Sequence, residues 1–139
     1  MFQGFSAAMI AEIVFSIEGL HCMASIQMTS TEDDCPFCAI AKAYPHPIQP
    51  ERAVDPLSYS HIVASTPHTL AFLDRLPLTK CHTLLISRDH YQFLSDIPPD
   101  VAAELGRSLP VVCRAVMEVS GSDGFNVVQN NGAEKRKNC

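Results

Sequence analysis

Two cysteines three positions apart are the residues whose spacing most directly suggests chemistry. Cys35 and Cys38 form a Cys-x-x-Cys pair, and this spacing can place two thiolates on one metal ion such as zinc. The alternative is a pair of reduced cysteines at the start of a helix. The six histidines suggest no second site of this kind, because none of them belongs to a His-x-His pair.

Two polar residues stand where apolar segments end. Asp74 follows Ala-Phe-Leu, and a carboxylate there can accept two hydrogen bonds from a ligand or simply complete a turn. Asn130 opens the sequence Asn-Asn-Gly, which is typical of tight turns because Asn and Gly tolerate positive φ. Each residue therefore has both a binding and a turn interpretation.

The elements that must position these residues begin with a short helix and three strands. Proline at the first turn favours a helix over residues 36–43, and the prolines of residues 44–60 favour a loop. Residues 61–65 and 68–74 are predicted to form a hairpin. Residues 82–87 are continuously apolar at their centre, which predicts a strand buried on both faces.

A long amphipathic helix is predicted next, opened by two prolines and followed by a fourth strand over residues 125–130. Its apolar residues recur at steps of three or four, and we expect them to face the sheet: Val101, Leu105, Leu109, Val112, Val116 and Val119. Pro110 lacks an amide hydrogen, so the sequence predicts a bend there or two shorter helices.

The composition predicts one domain over residues 33–132, with tails at either side. Residues 1–32 are expected to be a weakly ordered extension, with an amphipathic helix as the alternative, and residues 133–139 a charged tail. The apolar segment 5–20 contains Glu12 and Glu18 and is shorter than the roughly 20 residues that span a bilayer. No membrane association is therefore expected.

Net charge and cysteine content indicate the kind of partner and the cellular compartment of the protein. Ten basic and fifteen acidic residues give a net charge of −5, which disfavours nucleic acid as a partner. Six scattered cysteines without a secretory signal favour a reducing compartment. We expect a cytoplasmic protein, with the nucleus as a further location.

The order and spacing of several motifs resemble the histidine triad (HIT) family. The matching motifs are Cys-Pro-Phe-Cys-Ala-Ile at 35–40, Ala-Phe-Leu-Asp at 71–74, Pro77, His-Thr-Leu-Leu-Ile at 82–86, Arg-Asp-His at 88–90 and Asn-Asn-Gly at 130–132. The resemblance implies an α+β fold with an antiparallel sheet. It also implies a homodimer that binds a purine nucleotide or nucleoside phosphate.

The resemblance assigns roles to individual residues. It implies an apolar wall for the base, Asp74 on the ribose hydroxyls and Asn130 near phosphate; the wall residues are Phe37, Ile40, Phe72 and Leu73. In some relatives the Cys-x-x-Cys pair holds zinc together with a histidine like His90 and the first triad histidine. Here that would leave Cys35, Cys38 and His90 as ligands, with one missing.

The family's catalytic strand has no counterpart in this sequence. Relatives continue past the Asn-x-Gly turn with a Gly-Gln segment and a strand bearing His-x-His-x-His, whose histidine attacks an α-phosphate. We therefore assign no catalytic residue and predict an inactive nucleotide-binding domain. By resemblance the absent strand pairs with the fourth strand inside the sheet, so an open edge is expected.

Two alternatives to an inactive nucleotide binder remain open. One is that the chain is a truncated form of a HIT nucleotide phosphohydrolase, phosphoramidase or nucleotidyl transferase. The other is that it is a zinc-linked interaction domain. His82 is predicted to be a structural strand residue, and Cys81 stands where relatives commonly have glycine.

Overall fold

The computed structural model describes residues 10–14, 35–49 and 60–129. Within them lie five strands and two α-helices. In chain order these are β1 (Ile10–Val14), α1 (Pro36–Ala43), β2 (Ile62–Ser65), β3 (Thr69–Leu73), β4 (Thr83–Ser87), α2 (Pro99–Ser120) and β5 (Asn126–Gln129), with a short 3-10 turn at Leu94–Asp96. The α+β class is confirmed.

All neighbouring strands of the sheet are antiparallel, in the order β2-β3-β4-β1-β5. The predicted hairpin is β2–β3, and its tip is the short turn between Ser65 and Thr69. β4 is buried at every position and lies third of the five strands. The prediction of a central strand is therefore confirmed.

Alternate residues of a strand point to opposite faces of the sheet, and in β3 and β4 both sets of side chains pack against other elements. Ala71 and Leu85 pack against α2. Leu70, Phe72, Leu84 and Ile86 pack on the opposite face against Ala41 of α1 and Tyr44. The functional residues of α1 are therefore held against the sheet face that does not contact α2.

The helix α2 runs unbroken through Pro110, so the two-helix alternative is wrong. Pro110 and Gly106 are both exposed, and water can therefore satisfy the Gly106 carbonyl that loses its N–H partner. The helix ends at Gly121, whose φ of 70° suits glycine and whose N–H donates to the Met117 carbonyl. The predicted apolar face is correct except at Val119, which is 74% exposed in the last turn.

The N-terminal segment differs most from expectation. We expected a weakly ordered extension or an amphipathic helix, but Ile10–Val14 forms a strand inside the sheet. It pairs with β4 on one side and β5 on the other. The inner edge of the fourth predicted strand, β5, is therefore filled rather than open.

No helix of the described ranges is long and apolar enough to cross a bilayer.

Candidate functional site

Two thiols and an imidazole meet at the start of α1. Cys35 precedes the helix and Cys38 lies in its first turn, and both side chains are buried. The Cys38 Sγ lies 3.2 Å from Nδ1 of His90. The Cys-x-x-Cys pair and the distant histidine predicted to join it are thus brought together.

This cluster has the dimensions of a metal site. The ligand atoms of Cys35, Cys38 and His90 all lie within 4.8 Å of one another. Zinc binds sulfur at about 2.3 Å and nitrogen at about 2.0 Å in a tetrahedron, which puts neighbouring ligand atoms about 3.5–3.8 Å apart. The three side chains fit such an ion with small adjustments.

An apolar cluster beside the thiols contains three of the four predicted wall residues. Phe37, Ile40 and Phe72 pack together, and the rings of Phe37 and Phe72 lie 6.4 Å apart at an interplanar angle of 33°. Phe37 also packs against the cysteine pair. Leu73 is not part of this cluster, since strand alternation points it to the other face.

Asp74 lies immediately after β3, and its two carboxylate oxygens have different neighbours. Oδ1 accepts a hydrogen bond from the Leu76 N–H at 3.0 Å, and Oδ2 lies 3.4 Å from Nδ1 of His82. The turn interpretation of Asp74 is thus present in the structure. Its side chain remains 26% exposed, so solvent or a ligand can still reach it.

His82, predicted to be a structural strand residue, is a buried residue immediately before β4. It is 3% exposed, and its Nδ1 also lies 3.4 Å from the Leu78 N–H. Nδ1 can accept from Leu78 when it carries no proton or donate to Asp74 when it does. Either state holds the loop between β3 and β4 closed.

Cys81, just before His82, adopts a φ of 63°. This left-handed conformation is favourable for glycine and costs a residue with a Cβ atom. It explains why the resemblance puts glycine at this position. The carbonyl of Cys81 accepts a hydrogen bond from the Thr83 hydroxyl at 2.9 Å, which helps to fix the turn into β4.

Arg88 holds the other end of α1, a role that the sequence analysis missed. Its Nη1 donates to the carbonyls of Tyr44 at 2.7 Å and Ala41 at 3.3 Å. Its Nε donates to the Thr66 carbonyl at 2.8 Å and its Nη2 to the Ser65 hydroxyl at 2.7 Å. A cation here also complements the negative end of the helix dipole.

Burial lowers the pKa of the Arg88 guanidinium, although arginine stays charged at any ordinary pH. The only sequence signal for this role was an arginine placed directly after a strand that is otherwise apolar. The carbonyls it binds lie more than twenty positions away along the chain, which local patterns cannot reveal.

The β2–β3 hairpin is also tied to α2 by polar contacts that the sequence analysis missed. The Thr69 hydroxyl lies 2.7 Å from that of Thr66 and 3.2 Å from that of Ser108. Glu104 accepts from the His68 N–H at 3.4 Å. Hydrogen bonding from Thr66 is the main reason that the pKa of the Glu104 carboxyl is lowered.

An open cavity of about 400 Å³ lies beside Arg88 and is lined by Ala41, Lys42, Pro45, His46, Pro67, Arg88 and Asp89. None of the residues predicted to bind a nucleotide or a metal lines it. We place no ligand there, because the donors of Arg88 are largely committed to protein oxygens. Asn130, predicted near phosphate, lies outside the described residues.

Comparison with known proteins gives a consistent set of matches. The family model described as the HIT domain matches residues 56–137. Adenylylsulfatase HINT3 of Arabidopsis thaliana is 29% identical over 108 residues, which are 78% of this chain and 48% of that protein. Adenosine 5'-monophosphoramidase hnt1 of Schizosaccharomyces pombe is 36% identical over 70 residues, half of each chain.

Solved structures agree with the sequence matches. A HIT family protein from Bacillus anthracis has a TM-score of 0.60 and 31% identity, covering 77% of this chain and 66% of that one. The chain spans about half the length of the adenylylsulfatase and of the monophosphoramidase that it resembles.

Proposed function

Because this chain belongs to the HIT domain family, we propose that it binds a purine nucleotide or nucleoside phosphate at the start of α1. The observation that carries the proposal is the packing of Phe37, Ile40 and Phe72, together with the partly exposed carboxylate of Asp74 two positions after Phe72. An apolar surface with one fixed acid suits a flat base joined to a ribose. The names of the Arabidopsis and fission yeast relatives, which refer to adenylyl and adenosine compounds, support the same ligand class.

The binding chemistry follows from the side chains. Phe37 and Ile40 are half-buried, and their exposed parts can contact the face of a base. A carboxylate oxygen has more than one acceptor position. Asp74 can therefore accept from ribose hydroxyls while its Oδ1 keeps the hydrogen bond from the Leu76 N–H.

We propose further that this chain does not catalyse nucleotidyl transfer or hydrolysis. Displacement at phosphorus through a covalent intermediate needs an in-line nucleophile and donors for the developing charge. The sequence contains no His-x-His pair. Of its histidines, His82 is buried beside Asp74 and His90 faces the thiols, so neither is suited to attack.

Calorimetric titration of the chain with AMP tests the binding proposal. Asp74→Asn keeps an oxygen for the Leu76 N–H and removes the charge, and we expect at least a tenfold weaker affinity, equivalent to about 1.4 kcal/mol. Asp100→Asn, at an exposed position in the first turn of α2, is the matched control and should bind AMP normally. Flat titrations of the unaltered chain would overturn the proposal.

Activity is measured on the same preparation with an adenosine phosphoramidate as substrate. We expect no turnover above that of a heat-denatured sample. Turnover at the rate of an active relative would show that the chain has a nucleophile we have not identified. It would leave the binding proposal standing.

A zinc-linked role is a second candidate, favoured by the Cys35–Cys38–His90 cluster. The two thiolates and the imidazole would hold the ion, which would supply a cross-link between α1 and the segment after β4. Metal analysis of protein purified without chelator should find one equivalent of zinc. Cys38→Ser should lose it and Cys81→Ser should keep it; equal zinc in both variants would exclude this site.

A further inference from the structure

The strand β5 reaches the rest of the sheet only through β1, among the strands that the structure describes. Glu12 is the register partner of both Leu84 in β4 and Val128 in β5. Adjacent strands lie about 4.8 Å apart. Without β1, the axes of β4 and β5 would lie about 9.6 Å apart, twice the usual spacing, which leaves room for one strand.

The strand that fills this gap comes from outside the family-matched part of the chain. The matched residues 56–137 include β2, β3, β4, α2 and β5, but not β1. The matched part alone therefore has an interrupted sheet. The resemblance puts a histidine-bearing strand inside the sheet next to β5, and β1 holds the one interior position beside β5.

We propose that the space between β4 and β5 is a strand-acceptor slot and that Ile10–Val14 is its donor strand within the same chain. Each side of the slot presents backbone N–H and C=O groups that must be paired when buried. β4 is buried throughout when β1 is in place, so an empty slot would turn its inner side into an exposed sheet edge with unpaired backbone groups. The slot accepts one extended strand, antiparallel to both of its sides.

The donor strand and any other strand must compete for the slot, because it holds only one strand. A histidine-bearing strand, a strand from a second copy and an extended peptide can each enter the slot only when Ile10–Val14 leaves it. The proposal does not depend on nucleotide binding, because it rests on strand order and register alone.

The length of the connection permits the donor to act within its own chain. Residues 15–35, 21 residues in number, separate β1 from α1, and a chain of that length spans up to about 70 Å. A tethered strand also acts at an effective concentration of the order of millimolar. A free peptide of the same sequence should therefore compete poorly with it.

Disulfide trapping in the full chain tests the position and the register of the donor. Ala11 and Gln129 are direct partners, and directly opposed residues of antiparallel strands have Cα atoms about 4.5–5.5 Å apart, which a disulfide can bridge. We expect Ala11→Cys with Gln129→Cys to link within one chain under mild oxidation. Ala11→Cys with Val127→Cys, two positions out of register, is the control and should link at least tenfold less.

Peptide mapping by mass spectrometry separates the new link from bonds to the six native cysteines. A link between Ala11→Cys and Gln129→Cys of two different chains would overturn the proposal of a donor within the chain. Equal linking in the two pairs, or none in either, would overturn the register and with it the slot.

A second experiment tests whether the slot accepts a strand. Glu12→Pro in the full chain removes a backbone donor at the centre of β1. Hydrogen exchange should accelerate at least tenfold at whichever of the neighbouring amides Val127 and Val128 points towards β1. A synthetic peptide of residues 8–16 should bind this variant at least tenfold more tightly than it binds the unaltered chain, and should restore protection. The same peptide with proline at position 12 is the control.

Equal affinity of the peptide for both chains, or unchanged exchange in Glu12→Pro, would overturn the proposal. If Glu12→Pro does not fold, the disulfide pairs decide the question alone, since neither removes a backbone donor.

Discussion

Replacement of Arg88 by methionine keeps a long apolar stem and removes every hydrogen-bond donor of the guanidinium. Three of its contacts, to the Tyr44 carbonyl, the Thr66 carbonyl and the Ser65 hydroxyl, are 2.7–2.8 Å long. Hydrogen bonds from charged groups contribute about 1.5–3 kcal/mol each. Because Arg88 is only half-buried, water will satisfy part of what is lost, and such contacts are not additive.

We therefore expect Arg88→Met to lower the free energy of unfolding by about 2–4 kcal/mol. Urea titration followed by circular dichroism measures this value, and thermal melting should show a fall in Tm of about 10 °C. Arg88→Lys is the informative control. Lysine keeps the charge near the end of α1 but cannot donate to Tyr44, Thr66 and Ser65 at the same time. The stability of Arg88→Lys should therefore lie between that of the unaltered chain and that of Arg88→Met.

Loss of the Arg88 hydrogen bonds should also weaken ligand binding at the candidate site, because Arg88 fixes the helix that carries Phe37 and Cys38. At a temperature where Arg88→Met remains folded, AMP binding should be weaker than in the unaltered chain. A change in unfolding free energy below about 0.5 kcal/mol, the usual range for surface substitutions, would refute the role given to Arg88.

Three further substitutions test local features. Cys81→Gly should be more stable than Cys81→Ala by about 0.5–1 kcal/mol in urea titration, because only glycine avoids the cost of positive φ; the opposite order would contradict the strain. Hydrogen bonding from Thr66 lowers the pKa of Glu104, so the stabilisation from that carboxylate is present above the ordinary glutamate pKa and is lost as pH falls through the lowered one. The stability advantage over Glu104→Gln should therefore shrink as the pH falls below the ordinary glutamate pKa, and a constant difference would exclude the linkage. Pro110→Ala should raise the unfolding free energy by about 1–3 kcal/mol by restoring the bond to the Gly106 carbonyl, and an unchanged melting curve would count against a strained helix.

Elements were predictable from the sequence where a short stretch of chain determines its own structure. Alternating apolar residues and a turn predicted the β2–β3 hairpin, and a continuously apolar segment predicted β4. The Cys-x-x-Cys spacing and the family resemblance together predicted the meeting of Cys38 with His90, which no local pattern contains. Periodicity also predicted α2, although it extended the buried face to Val119.

Local patterns do not predict a residue's role where that role depends on partners distant in the chain. Residues 10–14 were interpreted by composition, as a loose extension, because the slot that accepts them is formed by strands more than sixty positions later. Leu73 was grouped with Phe72 as a wall residue, although strand alternation separates neighbours. Arg88 had no local signal for the four oxygens that it binds.

The position of β1 has a consequence for the order of events during synthesis. Ile10–Val14 is synthesised before the other described strands, yet one of its partners, β5, ends at Gln129, 115 residues after Val14. At translation rates of about 5–20 residues per second, this strand waits roughly 6–23 s before its second neighbour exists. During that interval an apolar segment with unpaired backbone groups is available to other chains. The pairing of β1 with β5, the first and last described strands, therefore forms last. Chaperones that shield nascent apolar segments should matter more for this protein than for one whose strands pair in the order in which they are made.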